Sequence, residues 1–480
     1  MAKVELTTRR RNFIVAVMLI SAFVAILNQT LLNTALPSIM RELNINESTS
    51  QWLVTGFMLV NGVMIPLTAY LMDRIKTRPL YLAAMGTFLL GSIVAALAPN
   101  FGVLMLARVI QAMGAGVLMP LMQFTLFTLF SKEHRGFAMG LAGLVIQFAP
   151  AIGPTVTGLI IDQASWRVPF IIIVGIALVA FVFGLVSISS YNEVKYTKLD
   201  KRSVMYSTIW FGLMLYAFSS AGDLGFTSPI VIGALIISMV IIYLFIRRQF
   251  NISNALLNLR VFKNRTFALC TISSMIIMMS MVGPALLIPL YVQNSLSLSA
   301  LLSGLVIMPG AIINGIMSVF TGKFYDKYGP RPLIYTGFTI LTITTIMLCF
   351  LHTDTSYTYL IVVYAIRMFS VSLLMMPINT TGINSLRNEE ISHGTATMNF
   401  GRVMAGSLGT ALMVTLMSFG AKIFLSTSPS HLTSTEIKQQ SIAIGVDISF
   451  GFVAVLVMIA YVIAIFIREP EEIESNRRKF

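Results

Sequence analysis

Residues 73–80 read Asp73-Arg74-Ile75-Lys76-Thr77-Arg78-Pro79-Leu80, and residues 326–333 read Asp326-Lys327-Tyr328-Gly329-Pro330-Arg331-Pro332-Leu333. An acid, a following base, and a later Arg, Pro and Leu recur in the same order. Each copy is a short charged loop between two apolar runs, so the unit that contains it is present twice. Spanning about 30 Å of hydrocarbon takes roughly 20 helical residues. Outward from the first copy, runs of that length lie near 13 to 37, 51 to 72, 80 to 98, 103 to 127, 137 to 160 and 168 to 189. Around the second copy they lie near 266 to 290, 300 to 322, 332 to 351, 358 to 381, 397 to 424 and 442 to 467. A polar stretch holding Lys195, Lys198, Asp200, Lys201 and Arg202 precedes two more, near 205 to 222 and 229 to 247. Each charged loop follows the second run of its set of six.

The 480 residues are 56% hydrophobic and 11% charged. A water-soluble domain could carry that balance only with apolar surface over most of its exterior. Membrane β-barrels alternate apolar and polar residues along each strand, whereas these runs are unbroken. The expected fold class is therefore an all-α polytopic membrane protein of fourteen transmembrane helices. Its expected parts are an N-terminal six-helix bundle (1–190), a linker with two inserted helices (191–248), a linker with a C-terminal six-helix bundle (249–467) and a tail (468–480). The first run leads into Asn28 and Asn33 without a small-residue cleavage site and reads as a retained span.

The formal charge of +14 is spread over short loops and not gathered on one soluble face, so topology explains it and no nucleic-acid partner is expected. One side's loops and flanks hold only Arg41, Arg167, Lys422 and Lys438, and most other Lys and Arg residues lie opposite. The positive-inside rule makes that opposite side, with both termini, cytoplasmic. Cys270 and Cys349 sit inside apolar runs without metal or redox spacing, and no Walker-type loop or cluster of metal-ligand spacing occurs.

Several residues stand out against this background. The acid of each charged loop falls at a helix end, where it can pair with bases or meet the free N–H groups of a helix start. This makes Asp73, Arg74, Arg78, Asp326, Lys327 and Arg331 candidates for a breakable latch, against the plainer reading of positive-inside anchors. In the fourth span, Arg108 places a cation in the membrane, a costly arrangement that is usually functional. Asn28 lies at a comparable depth and Gln111 one turn further in, so the three form a candidate polar centre. The fifth span carries Gly140, Gly143, Pro150, Gly153, Pro154 and Gly158, a series that permits close contact and bending or else ordinary tight packing.

No acid falls clearly at a helix midpoint; Asp162, Asp223 and Asp447 fall near outer ends and are the candidate proton carriers, or else solvated loop acids. His134, His352, His393 and His431 fall in expected loops, which leaves no buried imidazole relay. Met275, Met278, Met279 and Met281 cluster in the ninth span, suited to an adaptable apolar cavity or to lipid-facing filler.

These residues resemble the major facilitator superfamily, in particular its fourteen-helix drug:proton antiporter branch, over nearly the whole chain. The loops at Asp73 to Arg78 and Gly322 to Arg331 resemble the superfamily's loop motif, with Ala69 and Lys76 standing where the pattern prefers glycine. Arg108 to Gly116 resembles the fourth-helix motif tied to proton coupling, and Ala149 to Gly158 the fifth-helix motif of exporters. Asn28 to Pro37 resembles the branch's first-helix signature, in which many members carry aspartate at the place of Asn28. Asparagine does not titrate near neutral pH, so another carboxylate would carry the proton.

The resemblance implies efflux of structurally diverse amphipathic drugs, dyes and lipophilic cations by alternating access in a bacterial cytoplasmic membrane. It implies no cofactor beyond the proton motive force, protons and membrane lipid as partners, and a functional monomer. Asn33, Asn61, Gln147 and Asn314 are expected as polar contacts of a mid-membrane substrate cavity. A dedicated exporter of one endogenous lipid or metabolite is the first alternative. A membrane sensor or intramembrane enzyme is more remote, since no nucleophile-base or metal constellation is present.

Overall fold

The computed structural model describes residues 7–45, 47–131, 134–161, 164–190, 194, 199–225, 227–252, 255–298, 300–427 and 434–468. It is built of fourteen long helices: α1 (Thr8–Leu43), α2 (Glu47–Arg74), α3 (Thr77–Ala96), α4 (Phe101–Leu129), α5 (Arg135–Ile161), α6 (Arg167–Ser187), α7 (Lys201–Leu224), α8 (Pro229–Asn251), α9 (Arg265–Asn294), α10 (Ala300–Tyr328), α11 (Pro330–Met347), α12 (Tyr357–Asn384), α13 (Ile391–Thr427) and α14 (Ser434–Ile465). Among the described residues, eleven helices are long and apolar enough to cross a membrane. Only helices and closed barrels satisfy every backbone polar group in hydrocarbon, and the chain uses helices throughout its spans.

Side chains set several helix starts. Asn100 accepts from the Val103 amide at 3.0 Å to begin α4, and Asn264 accepts from the Phe267 amide at 3.1 Å to begin α9, each filling one of the donors a helix start leaves open. The two charged loops turn differently. Gly329, between α10 and α11, has φ 82° and ψ 179°, a region that belongs almost to glycine alone. Its counterpart Lys76, between α2 and α3, has φ −61° and ψ 147°. The first loop therefore does not require the glycine that its motif prefers.

The described helices fall into two compact units. One comprises Met1–Ser131, Phe148–Phe262 and Leu386–Phe400; the other comprises Lys132–Gln147, Lys263–Ser385 and Gly401–Phe480. The first unit thus includes the first turns of α13, and the second includes the first turns of α5. In the first unit an outer cluster gathers Leu32, Ile39, Leu53, Leu104, Trp166 and Phe170. Glu42 at the end of α1 bonds Arg167, and accepts from Trp166 Nε1 at 2.7 Å. Hydrogen bonding from Arg167, with Trp166 adding to it, holds the Glu42 carboxyl below its ordinary range. In the second unit the core runs through Ile288, Tyr291, Val306, Leu360, Tyr364 and Phe450.

The α9 methionines pack on the glycines of α13. Gly401 faces Met275, and a Cβ added at Gly409 would stand 2.8 Å from that of Met279. Met275 and Met279 thus take part in the packing of α9 on α13, and both stay partly exposed.

Gly329→Ala is expected to destabilise the protein by about 1 to 3 kcal/mol, the cost of holding a side chain in that backbone region, whereas Lys76→Gly relieves no strain. Thermal unfolding of the purified protein in detergent checks both.

Candidate functional site

The two loop acids make equivalent contacts with different chemistry. At the end of α10, the Asp326 carboxylate accepts from the Gly136 and Phe137 amides, both at 2.8 Å, and so caps the start of α5. A carboxylate there meets open N–H groups and the positive end of the helix dipole. The approach is tight because a Cβ at Gly136 would meet Asp326 Oδ1 at 2.2 Å and one at Gly322 would meet the Gly136 carbonyl at 2.5 Å. Gly140 and Gly143 continue that seam along Ser318, whose hydroxyl donates to the Gly140 carbonyl at 2.9 Å. At the end of α2, Asp73 instead accepts from the Ser392 hydroxyl at 2.9 Å and pairs with His393 Nε2 at 3.0 Å, both on the first turn of α13. Ala69, the counterpart of Gly322, is fully buried there.

His393 was expected in a loop; it lies on α13 and is mostly buried, with a side chain 12% exposed. Nothing in the sequence near it signals the pairing, since its partner is 320 residues away. The bases of the loops have separate roles. Arg78 donates to the Leu185 carbonyl at 2.9 Å, Arg74 reaches the Tyr70 hydroxyl at 3.1 Å, and Lys327 lies over the Tyr328 ring. Arg331 is exposed at the start of α11.

The polar centre of the first unit is assembled from four helices. Arg108, Gln111, Asn28 and Ser92 are all fully buried. Arg108 donates from Nη1 to Gln111 Oε1 at 3.0 Å and from Nε to the Leu53 carbonyl at 3.3 Å, with its guanidinium 4.1 Å from the Phe57 ring centroid. Gln111 then donates from Nε2 to Ser92 Oγ at 3.0 Å and to Asn28 Oδ1 at 3.4 Å. Within the expected polar centre, Gln111, one helical turn on from Arg108, is interposed between Arg108 and Asn28 and relays the contact. Glycine opens the space: a Cβ at Gly91 would stand 2.6 Å from the Gln111 nitrogen.

The second unit holds a cation that the sequence reading passed over. Arg367 on α12 is fully buried and donates to the Ser280 carbonyl of α9. Like Arg108, it lies on the fourth helix of its set of six. Its signal was available, an arginine within an apolar run, but the sequence around it lacks the glycine-rich continuation that follows Arg108.

The remaining expectations fall out unevenly. Asp447 on α14 accepts from the Leu351 amide at 2.9 Å and so anchors the loop between α11 and α12. Asp162 lies outside the described residues, as do the side chains of Asn33, Pro154, Gly158 and Asp223. Helix α5 continues through Pro150, which is exposed, and Gly153, which is buried. Asn61 packs against α4 beside Gly116, Asn314 donates to the Met368 sulfur at 3.8 Å, and Gln147 donates to the Met281 sulfur at 3.6 Å. Asn61-Gly62 and Asn314-Gly315 occupy the same place relative to Asp73 and Asp326.

A duplicated set of long apolar helices, with carboxylate clasps at matching helix ends and buried cations in each half, is the construction of a polytopic membrane carrier. The family model described as the Major Facilitator Superfamily matches residues 18–410, and the chain belongs to that family. It is 40% identical over 461 residues to the MFS-type transporter YcnB of Bacillus subtilis, covering 96% of each chain. It is 37% identical to the lincomycin resistance protein LmrB of Listeria monocytogenes, covering 95% of this chain and 97% of that one. Its fold is similar to that of the human organic anion transporter MFSD10, with a TM-score of 0.65 at 13% identity, covering 94% of this chain and 99% of that one. The chain is a multi-pass transporter of the bacterial cell membrane, acting on small molecules.

Gln111→Leu leaves Arg108, Asn28 and Ser92 without their shared partner, and a loss of about 1 to 3 kcal/mol is expected for the unsatisfied groups. Arg367→Met, which removes a buried charge and keeps an apolar stem, is expected to leave the unfolding temperature unchanged or raise it. Thermal unfolding in detergent measures both.

Proposed function

We propose that this transporter exports structurally diverse amphipathic small molecules, lipophilic cations among them, in exchange for protons and by alternating access. The observation that carries the proposal is the pair of carboxylate clasps at the ends of α2 and α10. Each joins a helix end to the start of a fifth helix through a few hydrogen bonds that can break and re-form. Two such clasps at repeat-related positions suit a carrier that alternates between facings. Likeness over nearly the whole chain to a protein named for lincomycin resistance supports export of antimicrobials over uptake of nutrients.

The driving force in this reading is the proton gradient, with no cofactor. The polar centre around Arg108 transmits the charge change between helices, and Asn28 holds that centre together without titrating. Of the three outer acids, Asp447 is the first to test, because its contacts separate anchoring from titration. The protein works as a monomer, with the exposed apolar faces of α6 and α8 against lipid; Ile236 and Met239 of α8 are 59% and 67% exposed.

The test uses acid-loaded everted membrane vesicles and a panel of lincomycin, cationic dyes, quaternary ammonium compounds and neutral drugs. Several unrelated compounds are expected to evoke proton release, and Arg108→Ala is expected to abolish it. Asp447→Asn, which keeps an acceptor for the Leu351 amide, is expected to insert normally and release no protons. A response to one compound alone would point to a dedicated exporter; no response to any, from correctly inserted protein, would overturn proton-driven export.

A further inference from the structure

The inserted pair α7–α8 has no counterpart in the two sets of six, and nothing so far gives it a role. Its cytoplasmic end is tied together firmly. Asp200, just before α7, takes two hydrogen bonds from Arg248 of α8, at 2.6 and 2.8 Å. Those bonds hold the Asp200 carboxyl down at about 2, so the pair stays ionised at neutral pH. Beside it, Gln249 Nε2 donates to Ser203 Oγ at 2.6 Å. The other end of the same amide, Gln249 Oε1, accepts from the Leu257 amide at 3.1 Å. The segment after α8 is thereby fastened to the insert by a fully buried side chain.

The next residue of that segment continues the chain. The Asn258 amide donates to Nδ1 of His393 at 3.2 Å. Because Nδ1 accepts, the hydrogen of the neutral ring is on Nε2, and it is donated to Asp73 at 3.0 Å. The imidazole uses one nitrogen for the linker and the other for the clasp. A second connection runs through rings: Trp210 and Phe211 of α7 lie 5.6 and 5.9 Å from Phe400 of α13, and Phe211 packs on Gly62 of α2. All of these residues belong to the first unit. At the α10 clasp, Asp326 accepts from the backbone amides of Gly136 and Phe137.

We infer that His393 is a positioning residue through which the inserted helices α7–α8 set the strength of the Asp73 clasp, by way of Gln249, the Leu257–Asn258 backbone and the imidazole ring. The first half of the transporter is thus adjustable from the insert. That this matters for transport rests on the export reading above; the coupling itself does not.

Hydrogen–deuterium exchange of the full-length protein tests the coupling without any substrate. Gln249→Ala is expected to speed exchange at residues 391–397 by about three- to tenfold, as a weakened local contact would. In a His393→Phe background Gln249→Ala should have no further effect there, whereas in a His393→Gln background, which keeps one donor and one acceptor, its effect should persist. Faster exchange confined to residues 255–262, or an equal increment from Gln249→Ala in the His393→Phe background, would overturn the inference. Should Gln249→Ala loosen α3 as well, Ser203→Ala, which removes that hydroxyl's bonds to Gln249 and Asp200 and keeps the bond from Gln249 to the Leu257 amide, is read in the same way. Absence of proton release in the vesicle assay would leave this result standing, and the reverse also holds.

Discussion

Hydrocarbon offers no hydrogen bonds, so every donor that a spanning helix leaves open must be met by the protein itself. The start of α5 shows how a helix end is met by the protein itself. Two amides of α5 are met by Asp326, whereas Asp73 is met by the Ser392 and His393 side chains on the first turn of α13. The rest follows from the need to bring a carboxylate that close. Gly136 and Gly322 are small because backbone must approach backbone, and Ser318 turns its hydroxyl onto the Gly140 carbonyl to continue the seam. A carboxylate at a helix start is also favoured by the helix dipole, so Asp326 is held by charge as well as by its hydrogen bonds.

The same constraint explains the buried arginines. A guanidinium has five donors, and in a membrane it must find acceptors among side chains, carbonyls and ring faces. Arg108 uses Gln111, the Leu53 carbonyl and the Phe57 ring. Gln111 passes the connection to α1 and α3 through Asn28 and Ser92, so one cation ties four helices together. Arg367 reaches only the α9 backbone among side-chain and carbonyl acceptors in the described residues. The two halves share a plan and differ in how completely the cation is embedded.

Departures from the repeat become intelligible once the geometry is known. Lys76 is tolerated because its turn stays at negative φ, whereas Gly329 occupies a region closed to other residues. The first clasp relies on a serine and a histidine in place of backbone amides, and those side chains are what allow the insert's linker to connect to it.

The sequence by itself determined the number of helices, their order, the six-two-six arrangement and the pairing of Asp73 with Asp326 as repeat-related acids. Those features depend on local properties: the length of an apolar run, the residues that interrupt it and the side on which bases collect. It also marked Arg108, Gln111 and Asn28 as neighbours, because depth in the membrane can be counted along each helix. Only the tertiary structure decided that Gln111 stands between the other two, that Asp447 anchors a loop and that α9 methionines pack on α13 glycines. His393, read as a loop residue, became the joint between a linker and a clasp for the same reason. Its contacts join Asp73, Asn258 and the first turn of α13, and a polar pairing between residues hundreds of positions apart leaves no periodicity or spacing by which one strand of sequence could announce it.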